Sequence, residues 1–148
     1  LFVAPTLMFC QKSAGLLSQV DDLSLIAQVL DADYALNEHT LWDKTLSDNA
    51  VVYLNNSKMD GKTVKEIFKS HHTMFNDIEI LDGYAHTNYF KDGDTWTNKW
   101  FTWEGTGNKT GVRYSNRCHF DYRWENGKIV EMQIFADNTG LNMELAAQ

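Results

Sequence analysis

The sequence predicts an α+β fold in which one curved antiparallel sheet wraps around three helices. The first observation is the run from Gly111 to Asp137, which alternates as two long strands joined at Asn126-Gly127. Asn-Gly favours the two positive φ angles that a two-residue hairpin turn needs. The second observation is that three helical patterns precede the main strands. A sheet with one apolar face must cover that face, so we expect the helices to lie against it.

The helical patterns lie in the first half of the chain. Asp21 or Asp22 is expected to cap a first helix that runs to about Leu36. A short second helix follows, and a third helix, capped by Thr63, runs to about Phe75. The apolar residues of the first two helices are Leu23, Ile26, Leu30, Tyr34, Leu41, Trp42 and Leu46. They recur at the three- and four-residue spacing of a one-sided helix.

The strand patterns begin with a short run from Ala50 to Leu54. Residues 78–90 and 95–103 then alternate as a hairpin around a Lys-Asp-Gly-Asp turn. The glycine-rich segment 105–111 joins two strands and opens no helix, so it is expected to be a hairpin loop and not a phosphate-binding loop. Asp137 is expected to cap a brief C-terminal helix, with a role as an acid or base as the alternative.

Composition limits the classes of function. A chain of 148 residues is long enough for one domain with a sizeable core, predicted here over residues 21–148. The aromatic fraction of 13% predicts that an interior cavity is lined by rings, which suits an apolar or aromatic ligand. The formal charge of -7 argues against binding to nucleic acid or to anionic membranes.

Residues 1–20 form a segment that differs from the rest of the chain. Leu1 to Phe9 is apolar and uncharged, and a polar stretch follows Cys10. This order resembles a bacterial lipoprotein signal and predicts a lipid anchor at Cys10 and a place in the bacterial cell envelope or periplasm. The alternative is a disordered or loosely packed N-terminal strand of a cytoplasmic protein.

The first strand of the long hairpin has two different faces, because side chains alternate along a strand. One face carries mostly large rings: Tyr114, Asn116, Cys118, Phe120, Tyr122 and Trp124. The other face is polar: Ser115, Arg117, His119, Asp121 and Arg123. We expect the rings to face a cavity and Cys118 to be a buried, inert thiol. The charged row then faces solvent or a second subunit, although His119 and Asp121 also have the spacing of a catalytic dyad.

His71 lies within the apolar stripe of the third helix, four residues after Ile67 and three after Phe68. It should face the sheet, where an imidazole can act as a general acid or base. The alternative is a core histidine bonded to a backbone carbonyl or a tyrosine. His72 points about 100° away around the helix, so the pair forms no metal clamp. No metal or other cofactor is predicted.

Four motifs, in this order and spacing, resemble the nuclear transport factor 2-like superfamily, and its polyketide-cyclase (SnoaL-like) branch most closely. They are ALNEH at 35–39, SDNAVVYL followed by Gly61-Lys62, Phe75-Asn76-Asp77, and NGKIVEMQIFAD at 126–137. The resemblance covers about residues 23–145. It implies a cone-shaped, cystatin-like α+β barrel that binds small hydrophobic molecules and is usually dimeric through the outer face of the sheet. Some members are isomerases, cyclases, epoxide hydrolases or dehydratases, and others only bind.

The catalytic residues of the superfamily are mostly absent at the matching positions. The general-base aspartate of the ketosteroid isomerases corresponds to Leu54, and their oxyanion-binding acid corresponds to Phe120. The aspartate of the epoxide hydrolases corresponds to Ile134. Asp137 is the nearest match to the acid or base of the polyketide cyclases.

The sequence therefore predicts a pocket for a small apolar or aromatic molecule. The first hypothesis is a cofactor-independent enzyme of the isomerase, cyclase or dehydratase type, in which His71 moves protons with the help of Tyr53 or Asp137. The others are a non-catalytic binding or carrier protein and a dimeric interaction module. The predicted ligand-binding residues are Leu54, Phe75, Trp100, Cys118, Phe120, Tyr122, Met132 and Ile134. The predicted partners are the ligand and a second copy of the chain.

Overall fold

A computed structural model describes residues 15–147 and shows an α+β fold of four helices and one seven-stranded sheet. The strands are β1 (Gly15–Gln19), β2 (Leu46–Leu54), β3 (Ser57–Asp60), β4 (Phe75–Phe90), β5 (Thr95–Gly107), β6 (Arg113–Glu125) and β7 (Lys128–Phe135). The helices are α1 (Asp22–Ala35), α2 (Thr40–Thr45), α3 (Gly61–Met74) and α4 (Thr139–Ala146). The predicted fold class is confirmed.

The sheet is mixed and open, with the strand order β1-β4-β5-β6-β7-β2-β3. Strands β4 to β7 pair antiparallel, as predicted, but β2 pairs parallel to β7, with Val52 opposite Met132. The expectation of a wholly antiparallel sheet is therefore wrong at this one pairing. Turn residues in a sequence indicate the pairing only of strands that follow each other along the chain. Because β2 and β7 are far apart in the chain, no turn signal indicates that they pair.

Asp21 caps α1, as one of the two predicted alternatives. Its Oδ1 accepts from the Ser24 backbone N–H at 3.0 Å, and the Ser24 hydroxyl oxygen accepts from the Asp21 N–H at 2.8 Å. This reciprocal pair is a capping box. Hydroxyl groups of Thr87 and Tyr89 also donate to the Asp21 carboxylate, at 2.7 and 2.5 Å. The cap therefore fastens α1 to β4 as well as starting the helix.

The predicted caps of the other helices are displaced by a few residues. Asp60 caps α3 and accepts from the Thr63 N–H at 2.7 Å, so the prediction of Thr63 as the cap is wrong. The first residue of α3 is Gly61, and a larger residue would clash there. An added Cβ would lie 2.1 Å from Leu46 Cδ2, where β2 packs against α3. The N-cap of α4 is Asn138 and not Asp137.

The long hairpin has the predicted turn and the predicted faces. Asn126 and Gly127 have φ angles of 50° and 73°. Cys118, Tyr122 and Trp124 are buried on the face that packs against the helices. The glycine-rich segment differs slightly, because β5 continues to Gly107 and only residues 108–112 form the loop. The sheet and α1 to α3 thus enclose a core that is rich in rings.

Residues 1–14, with the predicted anchor at Cys10, lie outside the described part of the chain. From residue 15 onward, β1 pairs antiparallel with β4 and forms one edge of the sheet. None of the helices within residues 15–147 combines the length and the apolar character needed to cross a bilayer.

We predict that Asp21→Ala lowers the free energy of unfolding by about 1–3 kcal/mol, because it removes the cap and the partners of two hydroxyl groups. Asp22→Ala is the matched control, since Asp22 is exposed in the first turn and caps nothing. Its loss should stay near 0.5 kcal/mol. Urea unfolding of both variants measures the difference, and equal losses would contradict this account of the cap.

Candidate functional site

A cavity of about 260 Å³ lies between the inner face of the sheet, α1, α3 and the start of α4. It is slightly smaller than the ~300–1,000 Å³ typical of sites for drug-sized ligands. Its apolar and sulfur-bearing wall includes Leu30, Trp42, Leu54, Ile67, Phe68, Phe75, Ile80, Phe101, Trp103, Cys118, Phe120 and Ile134. The polar side chains on the wall include Asp31, Asp33, Tyr34, His39, His71, Asn116, Tyr122 and Asp137.

A chain of three hydrogen-bonded side chains crosses the cavity wall. The Trp103 indole N–H of β5 donates to the Tyr34 hydroxyl of α1 at 2.8 Å. The Tyr34 hydroxyl lies 3.0 Å from Nδ1 of His71 on α3. An indole nitrogen can only donate, so His71 Nδ1 is the acceptor that remains for the Tyr34 O–H. The chain therefore runs from Trp103 through Tyr34 to His71.

The state of His71 follows from this chain. Burial, helped by the nearby His72, lowers the pKa of His71 to about 4, so its ring is neutral at pH 7. A neutral imidazole whose Nδ1 accepts carries its proton on Nε2. No hydrogen bond to Nε2 is present within residues 15–147. His71 thus presents a neutral N–H donor to the cavity, while burial raises the pKa of Tyr34 and keeps its phenol protonated.

The carboxylates on the wall are mostly engaged by the protein itself. Asp33 accepts three backbone N–H bonds from Thr40, Leu41 and Trp42 at 3.0 to 3.1 Å and so fixes the start of α2. Asp137 accepts from the N–H and the hydroxyl of Thr139, which lowers its pKa. Asp137 is therefore expected to stay ionised at neutral pH.

The structure brings most of the predicted site residues to one cavity. His71 lines it and is also bonded to a tyrosine, so the two interpretations of this residue are compatible. Asp137 lies on the wall where α4 begins. The predicted ligand-binding residues on the wall are Leu54, Phe75, Cys118, Phe120, Tyr122 and Ile134. Cys118 is a buried free thiol, and burial raises its pKa to about 11.

Three predicted residues lie elsewhere. Tyr53 is on the outer face of β2, because Leu54 next to it points inward, and Lys58 lies 5.9 Å from its ring centroid. Trp100 is on the outer face of β5, since Phe101 points inward. Met132 faces inward but is fully buried in the core cluster and does not reach the wall.

Tyr34, Trp103 and Asp31 line the cavity but are not among the residues that the sequence predicts for the site. In the sequence Tyr34 belongs to the apolar stripe of the first helix, and in the structure the centroid of its ring lies 5.6 Å from that of Phe68. Trp103 and Trp100 lie on opposite faces of β5, and only Trp103 lines the cavity. The sequence does not indicate which face of this strand points inward. The signal for Tyr34 in the sequence is the hydroxyl group that it carries within the apolar stripe of the first helix.

The outer face of the sheet carries a row of rings across four neighbouring strands. Tyr84 pairs with Trp100, Trp100 with His119, and His119 with Phe135. Tyr84 and Trp100 are stacked with centroids 5.2 Å apart, and Trp100 meets His119 at 4.4 Å. We call these four residues the outer ring row. His119 also bonds Asp121 at 2.6 Å, so the predicted dyad exists but lies outside the cavity.

No group of three or more histidine, cysteine, aspartate or glutamate side chains within residues 15–147 has a geometry that could hold a metal ion.

Comparisons with known proteins show the fold. The chain resembles AclR of Streptomyces galilaeus, described as a candidate hydroxylase, at 16% identity over 82% of this chain and 92% of that one, with a TM-score of 0.63. It resembles a Bacillus subtilis protein, described as a candidate isomerase, at 11% identity over 84% and 92%, with a TM-score of 0.65. It resembles IdmH of Streptomyces antibioticus, described as a candidate polyketide cyclase, at 15% identity over 86% and 100%, with a TM-score of 0.60.

No family model and no curated protein sequence matches the chain. Another similar structure, from Catenulispora acidiphila, is described as having a ketosteroid isomerase-like fold. The chain therefore has the nuclear transport factor 2-like fold, as its sequence motifs imply.

We predict that His71 makes stability fall as the pH drops from about 6.5 toward 4. The unfolded histidine binds a proton below its ordinary pKa of 6.5, whereas the folded one stays neutral until about pH 4. The resulting loss approaches about 3 kcal/mol at pH 4. Urea unfolding between pH 7 and 4 should show a shallower pH dependence for His71→Gln than for the wild type. Equal slopes would contradict the buried neutral state.

Proposed function

We propose that the cavity binds a small, mostly apolar molecule that carries a carbonyl group, and that the protein performs cofactor-independent acid/base chemistry of the isomerase or cyclase kind on it. The observation that supports this most is the hydrogen-bonded chain from Trp103 through Tyr34 to His71. It fixes a neutral N–H donor on a wall that is otherwise made mostly of rings.

The chemistry of this donor suits carbonyl activation. A neutral imidazole N–H can hydrogen-bond a carbonyl oxygen and stabilise the negative charge that develops there when a neighbouring C–H bond is broken. Within an apolar cavity this electrostatic contribution is larger than in water. The role differs from the proton shuttle predicted for His71, because Nδ1 is occupied by Tyr34 and the low pKa makes the ring a weak base.

The wall supports an apolar ligand with a flat or ring-shaped part. Phe68 and Phe120 stack with centroids 6.3 Å apart, and Trp103 meets Phe75 at 5.1 Å. Aromatic walls of this kind favour apolar and aromatic molecules over charged ones. The similar structures described as candidate isomerases and cyclases are consistent with such a ligand.

A binding protein without turnover is the second candidate, and one observation favours it. Acid/base chemistry on a carbonyl compound needs a base as well as a donor. Both carboxylate oxygens of Asp33 accept backbone N–H groups, and the hydrogen bonds from Thr139 lower the pKa of Asp137, which makes it a weak base. Under this alternative His71 only orients the ligand.

We also propose that the protein is a homodimer through the outer face of the sheet. The outer ring row leaves Tyr84 and Phe135 about half exposed, at 52% and 49%. A contiguous exposed apolar and aromatic surface of this kind is typical of a protein interface. Arg117, beside Tyr84, supplies a charged border to the same surface.

We predict that His71 contributes to the binding of ketones but not of hydrocarbons. The probes are 2-tetralone and tetralin, which differ in one carbonyl group. His71→Phe should weaken 2-tetralone binding by about 5- to 10-fold, the value of one hydrogen bond, and leave tetralin binding nearly unchanged. Ligand-observed NMR titration measures both.

Tyr53→Phe, on the outer face, is the matched control and should bind both probes like the wild type. Failure of the wild type to bind either probe would contradict the proposed cavity function. Equal losses for the ketone and the hydrocarbon in His71→Phe would contradict the role of the Nε2–H donor.

We predict that Trp100→Glu converts the dimer into a monomer, because it places an unpaired charge within the outer ring row. The molar mass measured by light scattering during size-exclusion chromatography should then fall from twice the chain mass to the chain mass of 17.0 kDa. Val29→Glu, at an exposed position of α1, is the control and should stay dimeric. A wild type that elutes as a monomer would refute this assembly.

A further inference from the structure

Asp31 is a carboxylate of the cavity wall that keeps one oxygen free of hydrogen bonds from residues 15–147. Its Oδ1 accepts a hydrogen bond from the Lys99 ammonium group, and Oδ2 has no hydrogen-bond partner within residues 15–147. By contrast, both oxygens of Asp33 bind amides of α2. Asp31 is thus placed to accept a hydrogen bond or a proton from a ligand.

Lys99 fixes this carboxylate from the sheet side. The Lys99 side chain is fully buried on the inner face of β5. Its ammonium group donates to the backbone carbonyl of Ala27 at 2.8 Å and lies 4.7 Å from the centroid of the Phe101 ring. Moving an ion pair out of water costs free energy. Replacement of a buried ion pair by well-packed apolar residues of similar volume often leaves the stability of a protein unchanged or increases it. The pair therefore suggests a role beyond holding α1 against the sheet.

The positions of Asp31 and His71 suit opposite roles on one ligand. Asp31 and Tyr34 are three residues apart on α1, which places their Cβ atoms about 5–6 Å apart on the same face. Tyr34 in turn holds His71 at 3.0 Å. All three line the same cavity. A ligand whose carbonyl oxygen meets His71 Nε2–H can therefore place the neighbouring carbon toward Asp31.

We propose that Asp31 is the catalytic base of this site and that the ligand is a ketone with an acidic C–H bond next to its carbonyl. This inference rests on the proposed function and names the base that its chemistry requires. The C–H bond breaks, its proton moves to Asp31 Oδ2, and its electron pair delocalises onto the carbonyl oxygen as an enolate. The His71 N–H stabilises that oxygen. Asp31 then returns the proton to the same carbon or to a conjugated one, so that no other reactant is consumed.

The surroundings of Asp31 support a stronger base than an exposed aspartate. Burial raises the pKa of Asp31, although the charge and hydrogen bond of Lys99 oppose this effect. The other titratable groups near it, Cys118 and Tyr122 of β6, are kept neutral because burial raises the pKa of each. Asp31 also lines a shallow surface depression next to Gly83 of β4, through which its proton can exchange with water.

The test follows hydrogen–deuterium exchange at the carbons next to the carbonyl of 2-tetralone in D₂O by proton NMR. The wild type should accelerate the exchange above the buffer rate, and Asp31→Asn should lose about 10²-fold or more of that acceleration. Binding of 2-tetralone to Asp31→Asn, measured by the same titration as before, should stay within about threefold of the wild type.

The variant Lys99→Met tests whether Lys99 positions Asp31 and adjusts its pKa or only stabilises the fold. Loss of the ammonium charge should raise the pKa of Asp31 further, so the midpoint of the pH dependence of exchange should move to higher pH. Should Asp31→Asn fail to fold with an unpaired buried Lys99, the double variant Asp31→Asn/Lys99→Met removes both charges and serves in its place. Asp43→Asn, an exposed aspartate paired with Lys65, is the control and should exchange at the wild-type rate.

The outcomes separate the two proposals. Exchange by Asp31→Asn, or by the double variant, at the wild-type rate would overturn the role of Asp31. Binding of 2-tetralone by a wild type that does not accelerate exchange would also overturn it, while leaving the binding function intact. Absence of binding by both 2-tetralone and tetralin would remove the proposed function and this inference with it.

Discussion

The chain of hydrogen bonds from Trp103 through Tyr34 to His71 is the constraint on which the site depends. It joins β5, α1 and α3, the three elements that face one another across the hollow. The polar tips are partly buried, which favours pairing among them, and the donor-only indole sets the direction of the whole chain. The tautomer of His71 is therefore decided by Trp103 of β5, whose ring centroid lies 6.3 Å from that of His71. A helix shift that broke one bond would leave polar groups unpaired.

The sheet explains how such a hollow can exist beside a close-packed core. Val52, Tyr122, Trp124 and Met132 pack tightly at one end of the inner face. Toward the other end, Phe75 and Trp103 hold β4 and β5 against Tyr114 and the start of α4. Gly140 lets α4 approach closely, since an added Cβ would lie 2.8 Å from the Tyr114 ring. The cavity is thus bounded by rings that are themselves fixed by neighbours.

The extent to which the inward face could be predicted from the sequence differs from strand to strand. The inward face of β6 was predictable because its rings and charges separate cleanly by parity. The faces of β5 were not, because tryptophans occur at both parities and Lys99, a charged residue, points inward. On β2, the prediction of both Tyr53 and Leu54 as site residues is wrong for Tyr53, because adjacent strand residues point to opposite faces and only Leu54 lines the cavity. Tyr34 was hidden because a tyrosine in an apolar stripe has the pattern of a core residue.

His71 and Asp31 differ in charge, and this difference determines what each can do. His71 is neutral because burial disfavours its charged form and the nearby His72 adds to this effect. Asp31 keeps a charged partner, because Lys99 is buried beside it. A neutral donor stabilises developing negative charge without giving up its proton, whereas a carboxylate near an ammonium group can take a proton and return it. Since Tyr34, which binds His71, and Asp31 lie one turn apart on α1, this single helix sets the distance between the two groups, and its cap at Asp21 ties that distance to β4.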